Sequence, residues 1–554
     1  MTARPGPGTA VPGAPAIPPG AGSDTGTLPL ALDELAAPPE TSPLPEAPPR
    51  AGRLRAALAA IPWPLFAVLA VQAGLSLRLV WTNTAFEDEA LYLWAGHLEW
   101  AHWLHGTPIP PFPTYFSGAP VIYPPIAALA DSIGGLALAR LLSLAFMLGA
   151  TALLWATAQR LYSERAAFFA AALWALLGPT IRLGAFATYD AMALFLVALA
   201  AWFATGGRQR RDATGWMLAG AAALTLANAT KYATGLFDPV VAGMAVLAGY
   251  PRLSDKGAWR RGAFLASCVT VLIIGLLQCG QGWYVNGVDQ TTLARHDGGT
   301  AISVVLVSSW DWIGVVTAAA AISAVLCLIG KMPFSGRLLV LMLAGAALLV
   351  PIEQARIHTY TSLSKHVDFG AWFAAIAAGY GADRMSRWAR PRLARAGITA
   401  ILAGGLAPVA MTGYAQAAGF YSWPDASYLV LYLRHLVSHS GRFLADNSPT
   451  LEYYLRDSTS WQQWSSVYGI TLPSGRRVPV EGNSLAPYRV LFAHHYFKLV
   501  ILAFSDKPQL DKSISAYLDT DPSYRFLGVI PFANPGSHGR YLIWEYAPAA
   551  GAVR

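Results

Sequence analysis

Charged residues are scarce in this sequence. Only 13% of its 554 residues are Asp, Glu, Lys or Arg, whereas 55% are hydrophobic. A soluble domain usually carries about 25% charged residues, and a disordered chain contains few apolar ones. The composition therefore excludes an ordinary cytosolic enzyme and a fully disordered chain. It predicts a protein that crosses a membrane several times and has additional water-exposed parts.

Cysteine is equally scarce, and a nucleotide-binding glycine-rich loop is absent. The three cysteines, Cys268, Cys279 and Cys327, all lie in apolar runs, so we expect no disulfide framework and no cysteine metal site. The first 49 residues contain 13 of the 39 prolines and no apolar signal-peptide segment. This composition predicts a disordered tail over residues 1–55.

Eleven apolar runs follow the tail, and each is a candidate membrane span. They lie near residues 61–81, 136–158, 166–181, 189–204, 213–230, 233–249, 262–282, 311–329, 337–352, 367–382 and 396–414. The connecting loops alternate in charge: one set contains 16 Lys or Arg residues and the other contains five. By the positive-inside rule, this alternation predicts a cytoplasmic N-terminus and an extracytoplasmic C-terminus.

The fold class expected from these runs is mostly α, with about eleven transmembrane helices in a domain over residues 56–415. Residues 420–554 regain charge, tyrosine and turn residues, which predicts a soluble extracytoplasmic α/β domain. Its expected strands include 489–492, 498–504 and 541–546. Most basic residues are explained by topology, so the net charge of +8 does not indicate nucleic-acid binding.

The long first outer loop, residues 82–135, contains three consecutive carboxylates: Glu87, Asp88 and Glu89. Adjacent acids repel one another unless a metal ion, a basic group or a substrate balances them. An apolar helical pattern follows, so the acids are expected at the start of an amphipathic helix. They are either acids favoured by the helix dipole or components of a site.

Further ionisable residues fall on the same membrane face. Asp190 begins an otherwise apolar run, as a helix cap or as part of a cavity. Lys231 and Arg140 are either snorkelling side chains or charges for a phosphate. Lys365 and His366 lie in a later outer loop. Together these groups would converge on an anionic ligand at the outer membrane boundary.

The order of these motifs resembles the GT-C superfamily of membrane glycosyltransferases, especially the protein O-mannosyltransferase and aminoarabinose transferase branch. The similarity covers about residues 60–415. Its elements are Asp88-Glu89 followed by Tyr92, a Tyr-Pro-Pro at 123–125, Ala-Arg-Leu-Leu-Ser at 139–143, Asp190, and Thr-Lys-Tyr at 230–232.

The resemblance implies a glycosyltransferase that uses a polyprenyl-phosphate sugar. It implies catalytic roles for Asp88, Glu89 and Asp190, with Asp88 preferred as the base. It also implies that the donor phosphate or its cavity involves the following residues: Arg140, Lys231, Lys365, His366 and Tyr92. Attack opposite the leaving phosphate would invert the anomeric centre. The base would take the acceptor's proton, and the cations would stabilise the phosphate.

Several alternatives stay open at this stage. No cofactor is required, but a divalent cation could bind the carboxylates of Glu87, Asp88, Glu89 and Asp190. The acceptor could be a glycan, a lipid or a protein. A secondary transporter with an outer-facing anionic site and a non-catalytic envelope scaffold are the competing functions, although transporters usually have paired inverted repeats, and we find none in the sequence.

Overall fold

The computed structural model describes residues 62–114, 116–206, 213–248, 256–293, 298–388, 391–534 and 537–547. The predicted tail, residues 1–55, lies outside the described residues. The described part of the chain is mostly helical, and its C-terminal part contains a β-sheet.

In their described residues, all eleven apolar runs fall mainly on helical structure. The helices that contain them are α1 (Trp63–Val80), α3 (Tyr123–Leu161), α4 (Glu164–Ala175), α5 (Gly178–Leu183), α6 (Tyr189–Thr205), α7 (Ala213–Thr230), α8 (Asp238–Leu247), α9 (Lys256–Cys279), α11 (Ile302–Ile329), α12 (Phe334–Gly345), α13 (Leu349–Arg356), α14 (Leu363–Ser386), α15 (Arg392–Gly404) and α16 (Leu406–Gly419); α2 (Glu87–His105) and α10 (Gln281–Val288) lie between them. Among the described residues, six helical segments are long and apolar enough to cross a membrane. The count of eleven spans stays a prediction.

The segment predicted as the first outer loop, residues 82–135, is largely helical in its described part. As the sequence predicts, α2 begins at the acidic triplet. Helix α3 begins earlier than its apolar run, at Tyr123, because the prolines that follow suit a first helical turn. Its regular geometry is interrupted at Gly134 and Gly135, the latter with φ of 64°. The residues before this break extend the helix into the outer loop.

Small residues let the helices of the bundle approach closely. Helix α14 packs between α4 and α11 and is buried over most of its length. At Gly379 of this helix, an added Cβ would lie 2.2 Å from the carbonyl oxygen of Ala166 in α4. Gly381 faces α11 in the same way, 2.0 Å from the hydroxyl of Ser323. Glycine is therefore needed where the backbones meet.

The C-terminal part contains seven strands: β1 (Phe443–Ala445), β2 (Trp464–Ser466), β3 (Gly469–Thr471), β4 (Arg477–Pro479), β5 (Leu499–Leu502), β6 (Tyr524–Asn534) and β7 (Ser537–Tyr546). They form one sheet in the order β4-β3-β2-β1-β5-β7-β6. β1 pairs in parallel with β2 and β5, and the remaining pairs are antiparallel. The helices of this part are α17 (Ser427–Leu433), α18 (Ser448–Tyr454), α19 (Ala486–Ala493) and α20 (Pro508–Leu518).

The expected α/β character of this part is confirmed, with one error in its elements. The strands expected at 498–504 and 541–546 correspond to β5 and to part of β7. The strand expected at 489–492 is wrong, because this segment belongs to α19. Tyr488 and Phe492, four residues apart, are both fully buried, which is helical spacing.

The sheet domain is held against the first outer loop by specific hydrogen bonds. The hydroxyl of Tyr454 accepts the backbone N–H of Ala85 at 2.8 Å. Asn83 donates its side-chain amide to the carbonyl oxygen of Trp423 at 2.8 Å. Tyr453 donates to a carboxylate oxygen of Asp131 at 2.5 Å. The domain therefore lies next to the acidic start of α2.

Candidate active site

The three acids at the start of α2 face three different surroundings. Successive helical residues are about 100° apart around the axis, so Glu87, Asp88 and Glu89 diverge. Glu89 also caps its own helix, since its carboxylate accepts the backbone N–H of Phe86 at 3.0 Å. The acids thus form no common carboxylate cluster.

Glu89 forms a buried ion pair with Arg140 of α3. The guanidinium donates to both carboxylate oxygens, from Nε at 2.8 Å and from Nη2 at 2.7 Å. Its remaining N–H groups reach the backbone carbonyl oxygens of Val80, Thr82 and Thr84. Glu89 in turn accepts the backbone N–H of Ala187 at 2.8 Å.

The pair therefore connects the end of α1, the start of α2, the middle of α3 and the loop before α6. All five N–H groups of Arg140 have partners within the protein. The resemblance associated Arg140 with the donor phosphate or its cavity; in the structure its guanidinium is paired with Glu89. This geometry favours a positioning role for both residues.

Asp88 begins a row of four charges that alternate in sign. Lys365 Nζ lies 2.6 Å from Asp88 Oδ2 and 3.8 Å from Asp190 Oδ2. Lys231 Nζ lies 2.8 Å from Asp190 Oδ1. Both lysines and Asp190 are buried, whereas the side chain of Asp88 is 31% exposed. We call these four residues the charge row; Asp88 is its accessible end.

Helix termini bring the charge row together. Asp190 lies in the first turn of α6, where the helix dipole favours an acid, and it accepts a hydrogen bond from Thr188 at 2.9 Å. Lys231 directly follows α7, and Lys365 lies in the first turn of α14. The sequence placed these residues on one membrane face, and the structure shows that they are in contact.

Tyr92 lies one turn after Asp88 and packs beneath the charge row. Its ring is buried, 4.5 Å from the ring centroid of Tyr189 and 5.3 Å from that of Phe116. Lys231 Nζ lies 4.6 Å from the centroid of Tyr189. These three rings thus form an aromatic cluster in contact with Lys231.

Beyond Lys231, an apolar groove extends from the charge row. Its cavity volume is about 330 Å³. Its lining residues include Lys231, Phe237, Val350, Gln354, His366 and Phe369. Gln354 donates its amide to His366 Nδ1 at 3.0 Å. The consecutive residues Lys365 and His366 thus serve different parts of one site, the charge row and the groove.

Arg182 is a further component of the site, which the sequence motifs did not single out. It is buried, and its Nη1 donates to the hydroxyl of Ser364 at 2.8 Å, next to Lys365. Its guanidinium carbon lies 4.1 Å from the ring centroid of Phe420, and its Nε has no hydrogen-bond partner in the described structure. A single arginine between Ile181 and Leu183 in an apolar segment was the available signal.

The carboxylates do not fit a hard-cation site. Within the described ranges, no group of three or more His, Cys, Asp or Glu side chains is arranged to hold a metal ion. Of the four acids considered from the sequence, Glu89 is engaged by Arg140 and Asp190 by Lys231. Asp88 is paired with Lys365. Basic side chains thus pair with three of the four acids that were candidates for binding Mg²⁺ or Ca²⁺.

The architecture is that of the GT-C fold: apolar helices, an ordered segment after the first helix that carries the acids, and a C-terminal sheet domain. The family model described as dolichyl-phosphate-mannose-protein mannosyltransferase matches residues 120–274. No curated protein matches the sequence.

Solved structures show the same fold along nearly the whole chain. The structure of ArnT from Cupriavidus metallidurans bound to undecaprenyl phosphate superposes with a TM-score of 0.55 at 16% identity, over 90% of this chain and 99% of that one. The archaeal oligosaccharyltransferase AglB from Archaeoglobus fulgidus, in complex with an inhibitory peptide and a dolichol-phosphate, gives 0.51 at 12% identity, over 88% and 75%. The arabinofuranosyltransferase AftD from Mycobacteria gives 0.50 at 17% identity, over 86% and 41%.

Proposed function

We propose that this protein is a membrane glycosyltransferase. It transfers a sugar from a polyprenyl-phosphate donor to an acceptor hydroxyl on the extracytoplasmic face. The observation that carries this proposal is the charge row, which extends from Lys231 in the apolar groove to the accessible carboxylate of Asp88. The site therefore offers an anion-binding centre next to a lipid-compatible cavity and a candidate base.

The apolar groove suits the donor's lipid and phosphate. Phe237, Val350 and Phe369 provide apolar walls, while Lys231 and His366 mark the polar end. A lysine ammonium is a compact charge that suits a phosphate. As the glycosidic bond breaks, negative charge grows on the leaving phosphate, and fixed cations in a water-poor site stabilise it.

Asp88 is the base in this proposal. It takes the proton from the acceptor hydroxyl, whose oxygen attacks the anomeric carbon. The bond between that carbon and the phosphate oxygen breaks, and polyprenyl phosphate leaves. Lys365 shifts its hydrogen bond from Asp88 to the departing phosphate, which frees the carboxylate for the proton. Because attack and departure occur on opposite sides, the anomeric configuration inverts.

Asp190 holds both lysines of the charge row in place while the donor is absent. Glu89 and Arg140 fix the start of α2, and therefore Asp88, relative to the bundle. These three residues position the groups that meet the substrates. No step requires a metal ion, since the lysines supply the positive charge. The lipid phosphates in the ArnT and AglB structures support the same class of donor here.

The experiment uses the purified protein in nanodiscs with a panel of polyprenyl-phosphate sugars. We expect release of polyprenyl phosphate from at least one donor, insensitive to EDTA. Lys231→Met should raise the KM for this donor, because a phosphate-binding cation is lost. If no lipid-linked sugar is bound or turned over, the proposal fails, and the transporter and scaffold alternatives gain support.

A further inference from the structure

A second groove lies between α2 and the sheet domain. Its cavity volume is about 640 Å³, within the size range of small-ligand sites. We call it the outer groove. The lining residues that matter here are Leu91, Trp94, Trp461, Tyr468, Arg476 and Arg477.

One wall of the outer groove is the face of α2 that carries Leu91 and Trp94. Glu87, Leu91 and Trp94 are spaced i, i+4 and i+7, so they share one face of this helix. Glu87 precedes Asp88 directly. Burial raises the pKa of Glu87 to about 8, helped by the negative charge of Asp506, and the guanidinium of Arg477 opposes that rise. Arg477 of the groove is therefore close to the residue that adjoins the base.

The aromatic walls of the groove are held in place. Trp461 of the sheet domain donates its indole N–H to the carbonyl oxygen of Pro108, in the segment after α2, at 3.1 Å. This hydrogen bond joins the two sides of the groove. The turn residue Gly475, with φ of +80°, lies against the same ring, since an added Cβ would be 3.0 Å from it. Tyr468 is 49% exposed, and Lys507 Nζ lies 4.7 Å from its ring centroid.

This combination suits a carbohydrate. The apolar C–H faces of a sugar pack on aromatic rings, while its hydroxyl groups pair with guanidinium donors and carboxylate acceptors. Arg476, Arg477 and Glu452 supply those polar partners. An extended peptide would instead be expected to pair with a free strand edge. The edge strand β4 has only three residues, and Pro479 cannot donate a backbone N–H.

We propose that the outer groove is the acceptor site and that it holds a glycan chain. The chain lies on Trp461 and Tyr468 and presents a hydroxyl group to Asp88. This inference rests on the proposed glycosyltransferase function and adds the substrate class. It assigns Tyr468 and Arg476 as acceptor-binding residues that do not touch the donor.

The test compares acceptor kinetics in two exposed substitutions, Tyr468→Ala and Arg476→Ala, using short mannan-, glucan- and galactan-derived oligosaccharides. We expect the KM for the accepted oligosaccharide to rise about 3- to 10-fold for Tyr468→Ala, while the KM for the donor stays unchanged. Tyr428→Ala is the matched control, because Tyr428 is an exposed tyrosine of the same domain outside the outer groove. It should behave like the unsubstituted protein.

Equilibrium dialysis with labelled oligosaccharides measures binding independently of turnover. Saturable binding that weakens in Tyr468→Ala and Arg476→Ala supports the acceptor site, even if every donor fails and the proposed function is lost. Glycosyl transfer with unchanged acceptor KM in both variants overturns the inference while the enzyme assignment stands. Transfer to a serine- and threonine-rich peptide but to no oligosaccharide also overturns it.

Discussion

Lys365 lies between the two carboxylates of the charge row. Removing its charge is therefore the most direct test of the charge row at the level of single residues. We expect Lys365→Met to lower kcat/KM for the donor about 10²- to 10³-fold, the usual effect of removing one charge-stabilising donor. Lys365→Arg should recover only part of the loss, because a planar guanidinium does not replace a buried point charge. Steady-state kinetics with the identified donor measure both effects. Unchanged kinetics in Lys365→Met would contradict the proposed role.

The raised pKa of Glu87 predicts that the stability of the protein depends on pH. Burial and the neighbouring acids raise its pKa to about 8, whereas in the unfolded chain it returns to about 4.3. Between these values the folded state binds more protons than the unfolded state, so ionisation of Glu87 should lower stability as the pH rises toward 8. The charged groups that act on it are Asp506, Asp88, Arg477 and Asp446.

We therefore expect Glu87→Gln, which cannot ionise, to reduce the drop in thermal unfolding temperature between about pH 6 and about pH 8. Differential scanning fluorimetry on the purified protein measures the drop. The matched control is Glu481→Gln, an exposed glutamate of the sheet domain. An equal drop in Glu87→Gln and in the unsubstituted protein would contradict this assignment.

At this scale, the sequence located the charged residues but not their partners. Asp190 and Lys365 could be assigned to one membrane face from loop alternation alone. Their contact joins residues that are far apart in the chain, and no local sequence pattern predicts such a contact. Likewise, the adjacency of Asp88 and Glu89 suggested a shared role, yet one turns toward Lys365 and the other toward Arg140. The two side chains point in different directions because successive residues are rotated by about 100° around the helix axis.

At the scale of elements, close packing of α2 on α3 positions the base. An added Cβ at Gly96 would lie 2.0 Å from the carbonyl oxygen of Pro124. We expect Gly96→Ala to push α2 outward and lower kcat at least about tenfold, since small displacements of catalytic groups are costly. Gly74→Ala in α1 is the matched control, because nothing lies within 4 Å of its added Cβ. Equal kcat in the two variants would contradict this view.

The Glu89–Arg140 pair joins four segments around the site. Removing one partner of a buried pair leaves an uncompensated charge, which costs about 3–5 kcal/mol. We expect Arg140→Met to lower the free energy of unfolding by about this amount. Arg525→Met is the control: Arg525 is 66% exposed in its pair with Glu545, and this surface pair should contribute less than about 1 kcal/mol. Chemical denaturation in detergent compares them.

If Arg140→Met folds with unchanged stability but loses donor affinity, Arg140 binds the phosphate as first suggested by the sequence.

The helices were well predicted from the sequence where the apolar runs were long. The error at 489–492 arose because a short amphipathic segment fits either periodicity. The early start of α3 was missed because its first turns are less apolar and carry two prolines, which still suit a helix start.

At the scale of the whole molecule, the GT-C fold places the sheet domain beside the outer loop. The mostly helical architecture and the C-terminal α/β domain could be predicted from composition and periodicity. The site between them could not, because it depends on contacts such as Tyr454 with Ala85 and Tyr453 with Asp131. The motif resemblance supplied the residue types, and the fold supplied their geometry.

The central claim is that Asp88 is the base for sugar transfer from a polyprenyl-phosphate donor. The most direct measurement is the single-turnover rate of glycosylated product formation in Asp88→Asn, with donor and acceptor saturating. Asp457→Asn is the matched control, an exposed aspartate of the sheet domain. We expect the Asp88→Asn rate to fall at least about 10²-fold, with donor binding retained and the control unchanged. A rate in Asp88→Asn equal to that of the control would contradict the account.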